Sequence, residues 1–236
     1  LGWTYWYEHR RDGHTLKLTG DTTLAEPIDG TSPEVSWQGR SGHLGAGIHT
    51  FSPTREVAPT QFAATSFDFK DPRPVQVDVP TTNQQGTVPA MEVYEYTGAY
   101  GFKDQAAGDA LGRLRMEELE SRGKHFEGHG DGDRLQPGRW FRLSDPGSPL
   151  LRLGQADAAE GDDEFLIVQV RHLAANNYQA GDGGKSSYSC DVLCLRRRIP
   201  WRPGRDLNSQ QPRIYGVQTA IVVGAEGEEI HTDEYG

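Results

Sequence analysis

The sequence predicts a mainly β chain with a single helix, an α+β arrangement, and three observations carry that prediction. First, 29 glycines and 14 prolines stand among 236 residues, about 18% against the usual ~12%, and they recur as punctuation between short segments. Second, most of those segments alternate apolar and polar side chains with a period of two. Third, only one segment has a helical period and a helix start signal. Apolar residues are frequent enough to build a core, which excludes a wholly disordered chain. No apolar run is long enough for a membrane span or a secretory hydrophobic segment.

Residues 3–9 (WTYWYEH) put Trp3, Tyr5 and Tyr7 on one face and Thr4, Trp6 and Glu8 on the other. Asp12-Gly13 separates them from the alternating HTLKLT of 14–19, which is a hairpin signal. Residues 20–50 carry Pro27, Pro33 and several glycines without a period, so a long excursion between strands is expected there. Further strands are expected near 56–69, 75–79 and 91–96. The helix begins after Asp104, a good N-cap, and runs to about Arg122. Its expected apolar face is Ala107, Ala110, Leu111 and Leu114, with Asp109–Arg113 and Glu118–Arg122 as exposed i,i+4 pairs. Strands then follow near 124–129, 139–144, 164–174 and 188–198. Three prolines within 199–213 interrupt any strand period, and this stretch reads as a linker. Beyond it, VQTAIVVG (217–224), the turn AEGEE and EIHTDEYG read as one more hairpin.

The formal charge of −10, from 34 acidic and 24 basic residues, argues against affinity built on neutralising phosphates, so no nucleic-acid partner is expected. Charge also changes sign along the chain: residues 187–205 hold five Arg and one Asp, whereas 224–236 hold four Glu, one Asp and no Lys or Arg. Cys190 and Cys194, if on one strand, lie ~13 Å apart, beyond the ~7 Å reach of a disulfide, and are expected to be free thiols of a reducing compartment.

Each motif that suggests chemistry has a plainer reading. QAGDGGKSS (179–187) ends like a phosphate-binding loop, but Gln179 stands where the first glycine is required and a strand pattern follows in place of a helix. His125, Glu127 and His129 would share one strand face, with further metal ligands still to be found. GDGD (130–133) resembles the start of a calcium loop without its downstream glutamate and reads as a turn. Asp157, Glu160, Asp162, Asp163 and Glu164 contain the carboxylate pairs a glycoside hydrolase needs, yet such a run is typical of a solvated loop. Trp3, Tyr5, Trp6 and Tyr7 suit sugar stacking and core filling alike. No nucleophile is nominated, and catalytic, cofactor and metal residues are each expected to be none.

Several stretches together resemble one family, the VgrG spike proteins of the bacterial type VI secretion system, relatives of the hub and spike of contractile phage tails. They are GWTYWYEHRRDGHTLKL near the start, FDFKDPRP at 67–74, EVYEYTGAY at 92–100, RLRMEELE at 113–120, LQPGRWFRL at 135–143, FLIVQVRHLAANNYQ at 165–179, and PRIYGVQTAIVVGAEGEEIHTDEYG at 212–236. Cys190, Cys194 and the triple Arg at 196–198 are not recognisably part of the pattern. The resemblance implies phage-hub-like β-barrel domains and a division into residues 1–198, the C-terminal part of a hub domain, a linker at 199–213, and the start of an oligonucleotide/oligosaccharide-binding (OB) barrel at 214–236. The chain then reads as the middle of a longer protein. The resemblance further implies a non-enzymatic homotrimer that caps the hexameric Hcp tube and holds tip protein, effectors or adaptors beyond residue 236. Such a protein assembles in the bacterial cytoplasm, is delivered into target cells, and meets the target membrane only mechanically. The alternatives are a hub of a contractile phage or phage-derived particle and, from another class, a β-rich carbohydrate-binding or glycan-hydrolysing domain.

Overall fold

A computed structural model describes residues 2–38, 46–83, 86–99, 101–144, 161–178, 185–205, 214–224, 226–227, 230–232 and 234–235. Strands β1 (Thr4–Arg10) and β2 (Gly13–Thr19) form the expected hairpin. Arg10 pairs with Gly13, so the two-residue loop is Arg11-Asp12 and the turn lies one residue earlier than expected.

Six strands form the main body: β3 (Glu34–Ser36), β4 (Ile48–Arg55), β8 (Lys124–Gly130), β9 (Trp140–Ser144), β10 (Glu164–Ala175) and β11 (Ser187–Arg196), in the spatial order β3-β9-β10-β11-β8-β4. The two edge strands meet through a parallel bridge between Trp37 and Ile48, where the Gln38 N–H donates to the Ile48 carbonyl at 2.8 Å. That bridge joins the two ends of the sheet at one point and curls it into a barrel-like body. Inside, Phe51, Phe126, Phe141 and Phe165 are all buried, and the Phe165 ring lies 4.8 Å from both the Phe51 and Phe126 rings. Ile48, Leu143, Ile167, Cys190, Val192 and Cys194 fill the remainder. Strand β8 passes close to its neighbours because Gly128 leaves room: a Cβ there would stand 2.8 Å from Val192 and 2.9 Å from Phe51.

A second layer consists of β5 (Gln61–Asp68), β6 (Asp71–Pro80) and β7 (Glu92–Ala99) in the order β6-β5-β7, with α1 (Gln105–Gly123) laid across it. The Asp104 side chain accepts from the Ala107 N–H at 2.8 Å, as the N-cap reading requires. The face turned to the sheet is partly the expected one, since Ala107 and Leu111 pack against the core of this layer. Gly108, Gly112 and Met116 are buried, while Ala110 is exposed and Ala107, Leu111 and Leu114 are half-buried. A Cβ on Gly108 would stand 2.8 Å from Phe102 and Val77, and one on Gly112 2.8 Å from Val79, so the missing side chains let the helix approach the sheet. Glu118, expected on the exposed side, is buried and accepts from Arg115 as well as from Arg122.

The excursion at 20–50 contains a short 3-10 turn at Thr22–Leu24, β3 and the start of β4, with Ile28, Val35 and Ile48 buried in the barrel. Single apolar residues between prolines and glycines carry no periodic signal, and tertiary pairing supplies what the local sequence lacks. The single strand expected at 56–69 is confined to Gln61–Asp68, because residues 56–60 connect β4 to β5. Residues 217–224 are exposed and form no strand among the described residues, since the ladder partner that a strand requires is not beside them.

Candidate functional site

Among the described residues the candidates are drawn into separate pairs and ion pairs. His125, Glu127 and His129 do lie on β8, whose inward positions are Phe126 and Gly128, so the three share its outer face as a strand requires. His125 faces Glu127 at 3.6 Å and His129 bonds Asp191 of β11 at 2.8 Å, forming two separate pairs. Among the described residues no group of three or more His, Cys, Asp or Glu is placed to hold a metal ion. The 130–133 stretch clasps two strands: the Asp131 carboxylate accepts from the Gly47 N–H at 2.8 Å, and its own N–H donates to the Gly47 carbonyl at 3.0 Å.

Of the acidic run, Asp157 and Glu160 lie outside the described residues. The other three are held by arginines: Asp162 by Arg198 at 3.1 Å, Asp163 by Arg142 at 3.3 Å, and Glu164 by Arg142 at 2.7 Å and Arg197 at 2.9 Å. Partial burial raises the Glu164 pKa, but donation from the two guanidinium groups outweighs it and holds the carboxyl below its usual range. A general acid needs the opposite shift. The Arg triplet left unassigned by the sequence is thereby accounted for, two of its members binding this run. Residues 179–184 lie outside the described residues; β11 follows them at Ser187, so no helix N-terminus faces the loop. Cys190 and Cys194 are free and buried, and burial pushes both thiols up, away from the thiolate that reactivity needs.

What the molecule does present is a surface. The hairpin turns Thr4 and Glu8 inward and presses Trp6 onto Gly138, whose positive φ of 77° and missing Cβ accommodate the indole. Glu8 is 6% exposed and accepts from Arg139 at 2.5 Å; Arg139 also binds Glu26 at 2.8 Å. Burial opposes ionisation of Glu8, but Arg139 with Lys17 and Arg10 lowers its pKa overall. Arg202 closes the other end, donating to the carbonyls of Gly2 and Gly20 and to Glu117 of α1. Trp201 adds a backbone bond to Thr22 at 2.8 Å, so residues 201–202 of the expected linker are tied to the body.

With its polar face anchored in this way, the hairpin directs the apolar side chains outward. Trp3, Tyr5, Tyr7, Leu16 and Leu18 are between 46% and 59% exposed and form one continuous face, since Tyr5 pairs with Leu18 and Tyr7 with Leu16. The alternation was legible in the sequence, but which face turns inward was not: the signal is Glu8, which needs the distant Arg139. Such a patch marks an interaction surface in preference to a catalytic site. Among the described residues no helix is long and apolar enough to cross a membrane.

The type VI secretion system spike protein VgrG1c of Pseudomonas aeruginosa is 26% identical over 98% of this chain, which spans 30% of that protein. The spike protein VgrG3 of Vibrio cholerae is 27% identical over the whole chain, which spans 22% of it. Among solved structures, an Escherichia coli component of the type VI secretion system, titled as similar to bacteriophage T4 tail proteins, aligns with a TM-score of 0.46 and 12% identity over 86% of this chain and 36% of its own. Residues 1–178 match the family model described as the phage tail baseplate hub (GPD), and the chain belongs to that family.

Proposed function

We propose that this chain is part of the hub of a type VI secretion spike, a structural component that works by shape and assembly and carries no enzymatic activity in residues 1–236. The observation that carries the reading is the hairpin: its polar side is fixed to the barrel by a buried ion pair, and its Trp3, Tyr5, Tyr7, Leu16 and Leu18 face is left open. A hub is a ring of copies, and a closed ring covers such faces pairwise. The type VI spike reading ranks before a contractile-phage hub because the curated relatives named above are secretion spike proteins.

In this role three copies form the hub, one end seats on the hexameric Hcp tube, and effectors, adaptors or a tip protein are held on the spike side. The protein assembles in the bacterial cytoplasm and is then delivered into a target cell. Residues 1–198 belong to the hub domain, 199–213 serve as a linker whose Trp201, Arg202 and Arg205 are held against the hub, and 214–236 begin an OB-type barrel. The run Ile221, Val222, Val223, exposed here, suits a strand awaiting that barrel's remaining strands. Light scattering of the full-length protein, followed by co-sedimentation with Hcp rings, tests the proposal. A trimer that binds Hcp is the expected result, and a stable monomer indifferent to Hcp overturns it. The carbohydrate alternative makes a separate demand, namely that a polysaccharide panel reveal binding or cleavage lost on replacing Asp162, Asp163 and Glu164 with their amides.

A further inference from the structure

One end of the barrel concentrates positive charge in a way its own fold does not explain. Arg55 on β4 pairs directly with Lys124 on β8. The β8–β11 register sets Phe126 opposite Cys194, and Lys124 and Arg196 each lie two positions beyond that pair at the same end of their strands. Three cations thus stand in one row across three adjacent strands, where like charges facing each other cost stability. Lys124 and Arg196 share the inward strand parity of Phe126 and Cys194, and Arg55 stands exposed at the rim of the barrel mouth. The Lys124 ammonium lies 5.3 Å from the Phe126 ring centroid, and the Arg196 guanidinium lies 5.0 Å from Phe126 and 4.8 Å from Phe165.

The described carboxylates nearest this row also have other partners. Asp162 is engaged by Arg198 at 3.1 Å, and Glu120 accepts from the Thr81 hydroxyl at 2.5 Å and the Thr82 N–H at 2.9 Å. Glu56 lines the same cleft. Burial, with the cationic neighbours Arg55 and Arg196, holds the Lys124 pKa below its usual range against the opposing pull of Asp162, and burial lowers that of Arg196 against Asp162 and Asp163. Arg196 Nη1 is buried with no acceptor, and an unmet buried donor is costly. The row opens onto a cleft of about 740 Å³, large enough to admit a ligand group to the cations.

We propose that this barrel mouth is an oxyanion-binding site, in which Arg55, Lys124 and Arg196 converge on a carboxylate or phosphate group. A planar guanidinium backed by aromatic rings suits such a group: the rings cover its faces and leave its edge donors for the oxygens. The group comes either from a free anion or from an acidic side chain of a docked polypeptide, and two probes separate these sources.

Thermal melting of the full chain is followed in inorganic phosphate and in hexaglutamate peptide, each against sodium chloride of equal ionic strength. A ligand held at ~1 mM raises the folded-to-unfolded ratio about twentyfold at 20 mM, which appears as a higher melting temperature. Stabilisation by phosphate alone identifies a free-anion site, and tighter stabilisation by the peptide identifies an acidic segment. Lys124→Met and Arg55→Gln should remove the response. Because both relieve repulsion within the row, they should melt no lower than the parent in chloride. As a second readout, the 13C resonance of dimethylated Lys124 should shift and its pKa should rise on ligand addition. The proposal is overturned if neither probe stabilises the chain beyond chloride, or if the stabilisation survives in both variants.

Discussion

The barrel and the hairpin are made of the same kinds of residue in the same alternation, yet they end in opposite states. In the barrel, Phe51, Phe126, Phe141 and Phe165 are at most 6% exposed, and the Trp37–Ile48 bridge joins the sheet's own edges. In the hairpin, Trp3, Tyr5, Tyr7, Leu16 and Leu18 stay about half exposed while Glu8 and Thr4 take the buried positions. One region therefore completes its hydrophobic face within the chain, and the other holds its face outward by means of a buried charge. Burial within the chain stabilises a fold; burial reserved for a neighbour stabilises an assembly.

If the barrel is the self-sufficient part, damage there should cost the most. Phe165→Ala, which removes the ring shared by the other three phenylalanines, should destabilise the chain by about 3–5 kcal/mol in chemical denaturation. Arg139→Met leaves Glu8 buried without its partner and should cost about 3 kcal/mol, with the hairpin amides losing hydrogen-exchange protection before the barrel amides do. A uniform loss of protection would show that the two regions are not separable in this way. Gly128→Ala forces a methyl against Phe51 and Val192 and should cost about 1–3 kcal/mol.

Acid should act on both regions, and on the hairpin through Glu8. The folded pKa of Glu8 lies below its unfolded value of about 4.5. Its contribution to stability is thus complete above about pH 4.5 and is lost as the pH falls through the folded value. Glu95, raised by burial but lowered more by Arg115 and Arg205, and Glu164 follow the same sign. Hairpin protection should decline below pH 4.5, and this dependence should be reduced in Glu8→Gln. The smallest effect on stability belongs to the outward face: Tyr5→Ser and Tyr7→Ser should each change unfolding free energy by less than about 0.5 kcal/mol.

The same contrast governs how much of the molecule was legible in the sequence. Strands β1, β2, β8, β9, β10 and β11 announce themselves by alternation, and α1 by Asp104 and its length, because those signals are local. β3 does not, since three residues between Pro33 and a run of glycines become a strand only by pairing in parallel with β9. The helix face was only partly legible for a related reason: Ala107 and Leu111 do pack against the core, but Ala110 is exposed. Periodicity points to the residues that have apolar side chains, whereas α1 docks through Gly108 and Gly112, which have none. The candidate site was half legible: WTYWYEH displays two faces, but the one that stays outside is decided by the 131-residue separation between Glu8 and Arg139, which no local pattern encodes. The arginine run at 196–198 had no reading at all until the barrel set Arg197 against Glu164, Arg198 against Asp162, and Arg196 in line with Lys124.

The central claim is that the hairpin holds an assembly surface which the fold itself does not need. Light scattering on the full-length protein and on its Tyr5→Ser, Tyr7→Ser, Leu18→Ser triple variant, paired with their melting curves, tests it most directly. The account predicts a trimer for the parent, and for the variant a monomer that still melts cooperatively and whose melting temperature no longer depends on protein concentration. A variant that remains fully trimeric would contradict it.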